Sequence, residues 1–312
     1  MSSIKTALYL LKNDRRSFFI SLAQKFSKCK ISHLISDRAY LRFQYRMHFG
    51  KKLNLKKPQT YNEKLQWLKL YNRKNEYCQL VDKYEVKKIV AERIGEQYII
   101  PTLGVWENFD DIDFDQLPQQ FVLKCTHDSG SVVICKDKKT FDIDAARKKI
   151  ERKLKSNLFW HGREWPYKNV HPRIMAEKYM EDERTAELRD YKFFCFDGEV
   201  KMLFVATDRQ TKGEEVKFDF FDPYFHHINI RQGHPNAQKC PDKPQCFDKM
   251  KQLSSKLAEG LPHVRVDFYE VNGAVYFGEL TFFHFCGLVP FAPEKWDEMM
   301  GTWIRLPQKN SI

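Results

Sequence analysis

The stretch His263-Val264-Arg265-Val266-Asp267-Phe268-Tyr269-Glu270-Val271-Asn272-Gly273-Ala274-Val275-Tyr276-Phe277-Gly278-Glu279-Leu280-Thr281 reads as two apolar strands joined by a turn. Arg265, Asp267 and Glu279 are set among Phe268, Val271, Val275 and Phe277. A charge buried there without a partner costs several kcal/mol, so such groups coordinate metal, pair with one another or do chemistry. Side chains alternate along a strand, so Arg265, Asp267 and Tyr269 share a face. The face of Glu279 depends on the turn. A two-residue Asn272-Gly273 loop pairs Val266 with Glu279 and separates the acids. A three-residue Val271-Asn272-Gly273 loop pairs Arg265 with Glu279 and unites the three charges. The expectation is the three-residue loop, with Gly273 at positive φ. Two acids on one face suit a divalent cation carrying phosphates. The same residues also suit an Arg–acid cluster that only ties the strands together.

The chain of 312 residues can bury a large core in two or three subdomains. No run approaches the ~20 apolar residues of a membrane span. The opening Ala7-Leu8-Tyr9-Leu10-Leu11, between Lys5 and Lys12, is too short and too charged for a good signal peptide. Cys125, Cys135 and Cys195 sit in strand-like runs, which suits reduced core thiols and a cytoplasmic protein. Cys240 and Cys246, with His226, His227 and His234 upstream, fit no common zinc spacing. Residues 1–58 hold 14 Lys+Arg against Asp14 and Asp37, so the net charge of +12 belongs to that segment and the remainder is neutral. With Phe18, Phe19, Ile20, Leu22 and Phe26, the segment suits peripheral contact with an anionic membrane surface, a grip on a polyanion, or a solvated helical arm. No nucleic-acid-binding pattern is present, and none is expected as a partner.

Strands and helices mix irregularly, which makes the class α+β. Residues 1–80 read as helices and 82–95 as another, which Gly95 can cap. Tyr98-Ile99-Ile100 reads as a short strand ending at Pro101. Phe121–Lys124, the polar loop Thr126–Ser131 and Val132–Ile134 read as strand, loop, strand, followed by a basic helix near 144–156. Arg173–Met180 reads as a strand, Asp197-Gly198 as a hairpin turn and 246–259 as a helix. Lys124 beside small hydroxyl residues and backbone amides is a phosphate-cradle arrangement, though the P-loop pattern is absent. Glu177 sits on a buried strand, Lys192 follows Asp190-Tyr191 and Lys83 follows Asp82. Each of these also has a plain salt-bridge reading.

Taken in order, these elements resemble the ATP-grasp superfamily. More closely, the chain is similar to the TupA-like ATP-grasp proteins found with bacterial surface-polysaccharide genes, over roughly residues 45–300. The resemblance rests on Tyr61-Asn62-Glu63-Lys64-Leu65-Gln66-Trp67, Val81-Asp82-Lys83-Tyr84, His127-Asp128-Ser129-Gly130-Ser131, Glu164-Trp165-Pro166-Tyr167, Asp190-Tyr191-Lys192 and Gly278-Glu279-Leu280-Thr281. It implies an ATP-grasp fold of two α+β subdomains gripping ATP, preceded by a helical region. The divisions expected are 1–80, a connecting segment 81–118, a lid subdomain 119–180 and a C-terminal subdomain 181–312 carrying the metal-binding hairpin. By the same resemblance Lys83 and Lys124 contact ATP phosphates under the loop Ser129, Gly130 and Ser131. Glu177 sits at the adenine edge, and the backbone from Lys178 to Met180 reads the base. Glu181 or Glu183 holds the ribose. Asp267 and Glu279 hold Mg²⁺, joined by Thr281 where superfamily members usually carry Asn. Arg265 and Lys192 form the catalytic set around the transferred phosphoryl group.

The implied chemistry is ATP-dependent activation of a small-molecule or glycan-linked carboxylate as an acyl phosphate, followed by attack of an amine. The implied setting is a bacterial surface or capsular polysaccharide or its precursor. Many superfamily members begin with a βαβ domain, whereas residues 1–80 look helical. Two other readings are a glycosyltransferase or other sugar-modifying enzyme of that pathway, for which no convincing Asp-x-Asp motif is present, and a non-catalytic polyanion or membrane adaptor resting on the basic N-terminus.

Overall fold

The computed structural model describes residue 9 and residues 11–183, 188–209 and 213–308. Most of the opening apolar run at 7–11 lies outside the described residues. The chain forms two compact units. One draws on the chain up to Arg73, on Phe159–Trp165 and on the chain from Phe283 onward; the other comprises Lys74–Leu158 and Pro166–Phe282.

The first unit is helical. Its central helix, Tyr61–Tyr71, starts with a capping box: the Thr60 hydroxyl accepts from the Glu63 amide, and the Glu63 carboxylate accepts from the Thr60 amide. The helix is buried on nearly every side, so its polar members need partners. Gln66 Nε2 donates to the carbonyls of Cys286 (3.0 Å) and Gly287 (2.7 Å), and Lys69 Nζ donates to Gln66 Oε1 (3.1 Å) and the Cys286 carbonyl (2.7 Å). These bonds hold Phe285 and Cys286 at φ of 48° and 54°, a conformation that needs support. Asn62 donates its backbone and side-chain amides to Asp297 Oδ1 (2.9 and 2.8 Å), which docks the helix Lys295–Trp303. That approach is possible because residue 301 is glycine; a Cβ there would lie 2.0 Å from the Gln59 carbonyl oxygen.

In the second unit the strands β1 (Thr102–Trp106), β2 (Phe121–Cys125), β3 (Val133–Cys135) and β4 (Ile174–Lys178) form an antiparallel sheet in the order β1-β4-β2-β3. Phe121, Leu123, Cys125, Ile174 and Ala176 turn to the helix Ile143–Leu154 and build a core with Ile150. Val122 and Lys124 turn the other way, with Glu177 opposite Val122. The strands β5 (Asp190–Phe196), β6 (Glu199–Thr207), β7 (Lys217–Phe221), β8 (His227–Ile228), β9 (Val264–Val271) and β10 (Ala274–Thr281) form a second antiparallel sheet, ordered β10-β9-β5-β6-β7-β8. The Asp197-Gly198 turn joins β5 to β6 with both residues at positive φ.

Two sequence expectations are corrected. Residues 98–100 are not a strand: Glu96–Tyr98 is a 3₁₀ turn, and the strand begins at Thr102, after Pro101. The Ile100 carbonyl accepts from Lys87 Nζ (2.8 Å) instead of joining a ladder. The β9–β10 turn has two residues, not three. Asn272 and Gly273 lie at φ of 50° and 78°, and Val271 pairs with Ala274. Two consecutive left-handed residues make a turn whose twist matches the hairpin, which Asn-Gly favours. The positive φ at Gly273 is as expected.

Replacing Gly301 with Ala is expected to lower unfolding free energy by at least the roughly 1–3 kcal/mol of an overpacked core, because the clash is with backbone. Denaturant titration of the two proteins checks this; equal midpoints and slopes refute the constraint.

Candidate active site

A two-residue turn alone would put Asp267 and Glu279 on opposite faces. A bulge between Phe277 and Glu279 reverses this: Phe277 pairs with Phe268, Gly278 is the extra residue, and Glu279 pairs with Asp267. At Gly278 a Cβ would meet the Asp267 carbonyl oxygen at 3.1 Å and Tyr269 at 3.2 Å, so the inserted position favours glycine. The acids therefore share a face, as expected, by a different route.

On that face Asp267 is fully buried. Arg265 forks onto it, Nε to Oδ1 and Nη2 to Oδ2, both at 2.7 Å. Lys192, directly opposite on β5, pairs with Oδ2 as well. The Arg265 Nη2 also donates to Glu279 Oε1 (2.9 Å) and Thr281 Oγ1 (3.0 Å), and the Thr281 hydroxyl donates to Glu279 Oε1 (3.1 Å). Lys192 also reaches Asp190 Oδ1 (3.2 Å), whose carboxylate pairs with Arg209. Charges thus alternate across three strands. Burial alone would raise the Glu279 carboxyl, but Lys192, Arg265 and Lys83, with the Thr281 hydroxyl, hold it down at about 2. Its side chain is nevertheless 41 % exposed, so it is the accessible acid of the pair. Burial pushes the Lys192 ammonium below the ordinary lysine range, against the pull of Asp267.

The first sheet carries a second charge cluster. Glu177 takes Lys87 on Oε1 (2.6 Å) and Lys124 on Oε2. Lys87 is anchored further by the Ile100 carbonyl and the Thr102 hydroxyl (2.7 Å). Burial would raise the Glu177 carboxyl, but Lys124 and Lys87 outweigh it and keep it low. Beside this cluster lies a cavity of about 270 Å³ with apolar walls that include Ile100, Val122, Ile134, Met180 and Tyr269. Lys178, Tyr179 and Met180 run along it; the last two lie past the end of β4, clear of its ladder.

The structure brings Lys192, Arg265, Asp267, Glu279 and Thr281 together on one sheet face, and Lys124, Glu177, Lys178 and Met180 around the cavity. Lys83 bonds the Asp128 carbonyl, and its charge acts on Glu279, Asp128 and Lys124. Ser129 and Gly130 form the exposed tip of the loop, with Gly130 at φ 84°. Ser131 is buried; its hydroxyl donates to Asp128 Oδ1 (2.6 Å) and accepts from the Cys125 amide (2.8 Å), so it shapes the loop from inside. Glu181 pairs with Lys136 at 3.4 Å, and Glu183 docks on the hairpin turn, its amide donating to Asn272 Oδ1 (3.0 Å). Neither lines the cavity.

Sequence reasoning missed Lys87, Asp190 and Arg209. Lys87 stands one helical turn after Lys83, and Asp190 shares Lys192's face by parity, so both carried a signal. Arg209 follows the last strand residue, Thr207, in a turn and carried none.

Residues 63–305 match the TupA-like ATP-grasp family. The chain belongs to the TupA-like ATP-grasp family. It thereby joins the ATP-grasp ligase superfamily. No curated protein matches. Among solved structures, the ligase PsnB with a phosphomimetic precursor variant, Mg and ADP is 11 % identical over 81 % of this chain and 64 % of its own, with a TM-score of 0.41. D-alanine–D-alanine ligase from Bacillus anthracis with ATP is 16 % identical over 65 % and 54 %, with a TM-score of 0.38. VanG D-Ala:D-Ser ligase from Enterococcus faecalis is 12 % identical over 66 % and 52 %, with a TM-score of 0.38. The chain thus spans about half to two thirds of these proteins' own lengths. Likenesses at such scores decide nothing; the family match does.

The family match implies ATP, and the resemblance read in the sequence implies Mg²⁺ as well; the residues present can be set against both. The cavity offers apolar walls and, past the end of β4, the backbone of Tyr179 and Met180, which suits a purine, with Lys124 among its lining. The hairpin offers an all-oxygen donor set, Asp267, Glu279 and Thr281, which is the chemistry magnesium prefers. Among the described residues no group of three or more His, Cys, Asp and Glu is placed to hold a metal unaided.

Asp267→Asn leaves Lys192 and Arg265 short of their shared counter-charge and is expected to cost about 3–5 kcal/mol of stability. Adding Lys192→Met should return part of that loss; a double variant no more stable than Asp267→Asn refutes the pairing. The carboxyl of Glu279 is lower in the fold, about 2, than its ordinary 4.5. Its stabilising contribution is therefore full above about pH 4.5 and is lost as pH falls toward 2. Wild type and Glu279→Gln should differ in stability at neutral pH and converge in acid, as chemical denaturation across that range would show.

Proposed function

We propose that this chain is an ATP-dependent carboxylate–amine ligase that forms an amide through an acyl phosphate. We further propose that its substrates are a carboxylate, free or glycan-linked, and an amine, joined on a bacterial surface or capsular polysaccharide or its precursor. The observation that carries the reading is the alternating charge face of Arg265, Asp267, Lys192 and Glu279 with the cavity walled by Tyr269 on the same strand. Family membership supports the reaction class.

The residues divide the work by charge. Lys124 and Lys83 hold phosphate oxygens, with Lys124 released from or shared with Glu177. Glu177 and Lys87 keep Lys124 at the cavity margin. Asp267, Glu279 and Thr281 hold Mg²⁺, which when bound neutralises phosphate charge and polarises the transferred group. Arg265 and Lys192 stay beside that position with guanidinium and ammonium donors, already fixed by Asp267, to stabilise charge that builds during transfer. Their positions are set by pairing before substrate arrives, so little reorganisation opposes the reaction.

Purified protein should release ADP only when Mg-ATP, a carboxylate and an amine are all supplied, and a heavy-oxygen label on the carboxylate should appear in the phosphate released. Arg265→Met is expected to lower kcat by about 10²–10³-fold. In cells, Glu279→Gln should remove an amide-linked substituent from the surface polysaccharide while its sugar backbone persists, as mass spectrometry would read. Unlabelled phosphate, or an altered sugar backbone, would sink the ligase reading.

A further inference from the structure

We propose that the outer face of the basic N-terminal segment docks on an anionic lipid bilayer surface. Twelve large apolar side chains are exposed among the described residues, and six of them fall between Tyr9 and Leu34: Tyr9, Leu11, Phe19, Leu22, Ile31 and Leu34. Half of them thus fall within 26 residues of the sequence. The helix Arg15–Ser27 turns Ala23 and Ser27 inward, where Gln44 Nε2 donates to the Ala23 carbonyl (3.1 Å). Arg16 is turned to the His48 carbonyl. Arg15 and Phe19 continue the Ala23–Ser27 row toward the helix start, where both are exposed, and Leu22, about 100° round from Ala23, is exposed beside them. The 3₁₀ turn Lys30–Leu34 then presents Ile31 at 63 % and Leu34 at 87 % exposure.

Charge decides the occupant. Lys12, Arg15, Lys25, Lys28 and Lys30 accompany these side chains, against one acid, Asp14. That acid is taken by the Ser17 amide (3.0 Å) and hydroxyl (2.6 Å) as a helix cap. A second copy of the chain would set one strongly basic segment against another. A polyanion alone has no use for Ile31 and Leu34 held out in water. An anionic bilayer surface uses both features at once: headgroups attract the cations, and the interface takes the apolar tips.

The test is flotation of the full-length protein with vesicles of phosphatidylcholine alone and of phosphatidylcholine mixed with phosphatidylglycerol. The protein should float with the mixed vesicles, not with the neutral ones, and less as salt rises. Lys28→Glu and Lys30→Glu should each weaken binding about fivefold or more. The double variant Phe19→Ser, Leu22→Ser should lose it, with far-ultraviolet circular dichroism and thermal midpoint as in wild type. The proposal is overturned if wild type fails to float with anionic vesicles or floats equally with neutral ones. It is also overturned if well-folded variants float like wild type, or if concentration produces dimers or an oligonucleotide binds while vesicles do not.

Discussion

Everything at the site hangs on one fully buried carboxylate, Asp267. A charge at that depth is tolerable only if both oxygens are met by cations, and Arg265 and Lys192 meet them from the same strand and the next. That requirement fixes three registers together. β5 must set Lys192 opposite Asp267, β9 must keep Arg265 two residues away on the same face, and β10 must deliver Glu279 there too. A slip of one residue in β5 or β9 would turn a charge into the apolar side covered by the helix Phe247–Ala258.

Much of this was legible in sequence because alternation along a strand is a strict rule. Arg265, Asp267 and Tyr269 share a face in any register, and Lys124 opposes the core side of β2 for the same reason. The turn was misjudged because turn length and strand register are separate variables when a bulge intervenes. Loop length alone does not set the parity of β10. The chain uses the tight Asn272-Gly273 turn and restores parity five residues later at Gly278. The sequence marked that place with a glycine inside an otherwise apolar strand, which is the usual sign of a bulge or a close backbone approach. Strand existence followed from composition, whereas the false strand at 98–100 failed because Ile100 serves the cavity and its carbonyl serves Lys87.

Lys87, Asp190 and Arg209 went unread for a different reason. Their roles come from pairing, and pairing across a fold is not a local property. Lys87 acts through Glu177, which takes one lysine on each oxygen. Asp190 gives Lys192 a second carboxylate to hold and is itself met by Arg209. Only when the strands are side by side do these become members of the site.

The two clusters obey the same arithmetic of sign. Among the described residues, Glu177 faces two lysines, and the three acids Asp190, Asp267 and Glu279 face Arg209, Lys192, Arg265 and Lys83. Each cluster is therefore nearly neutral but keeps a cation in excess. Near-neutrality is what makes so many half-buried charges compatible with folding, since each desolvated group has a counter-charge within reach. The small positive surplus is what a phosphate-bearing ligand would answer. Lys192 lies between two carboxylates, Asp267 and Asp190, so the loss of either one still leaves the ammonium a counter-charge.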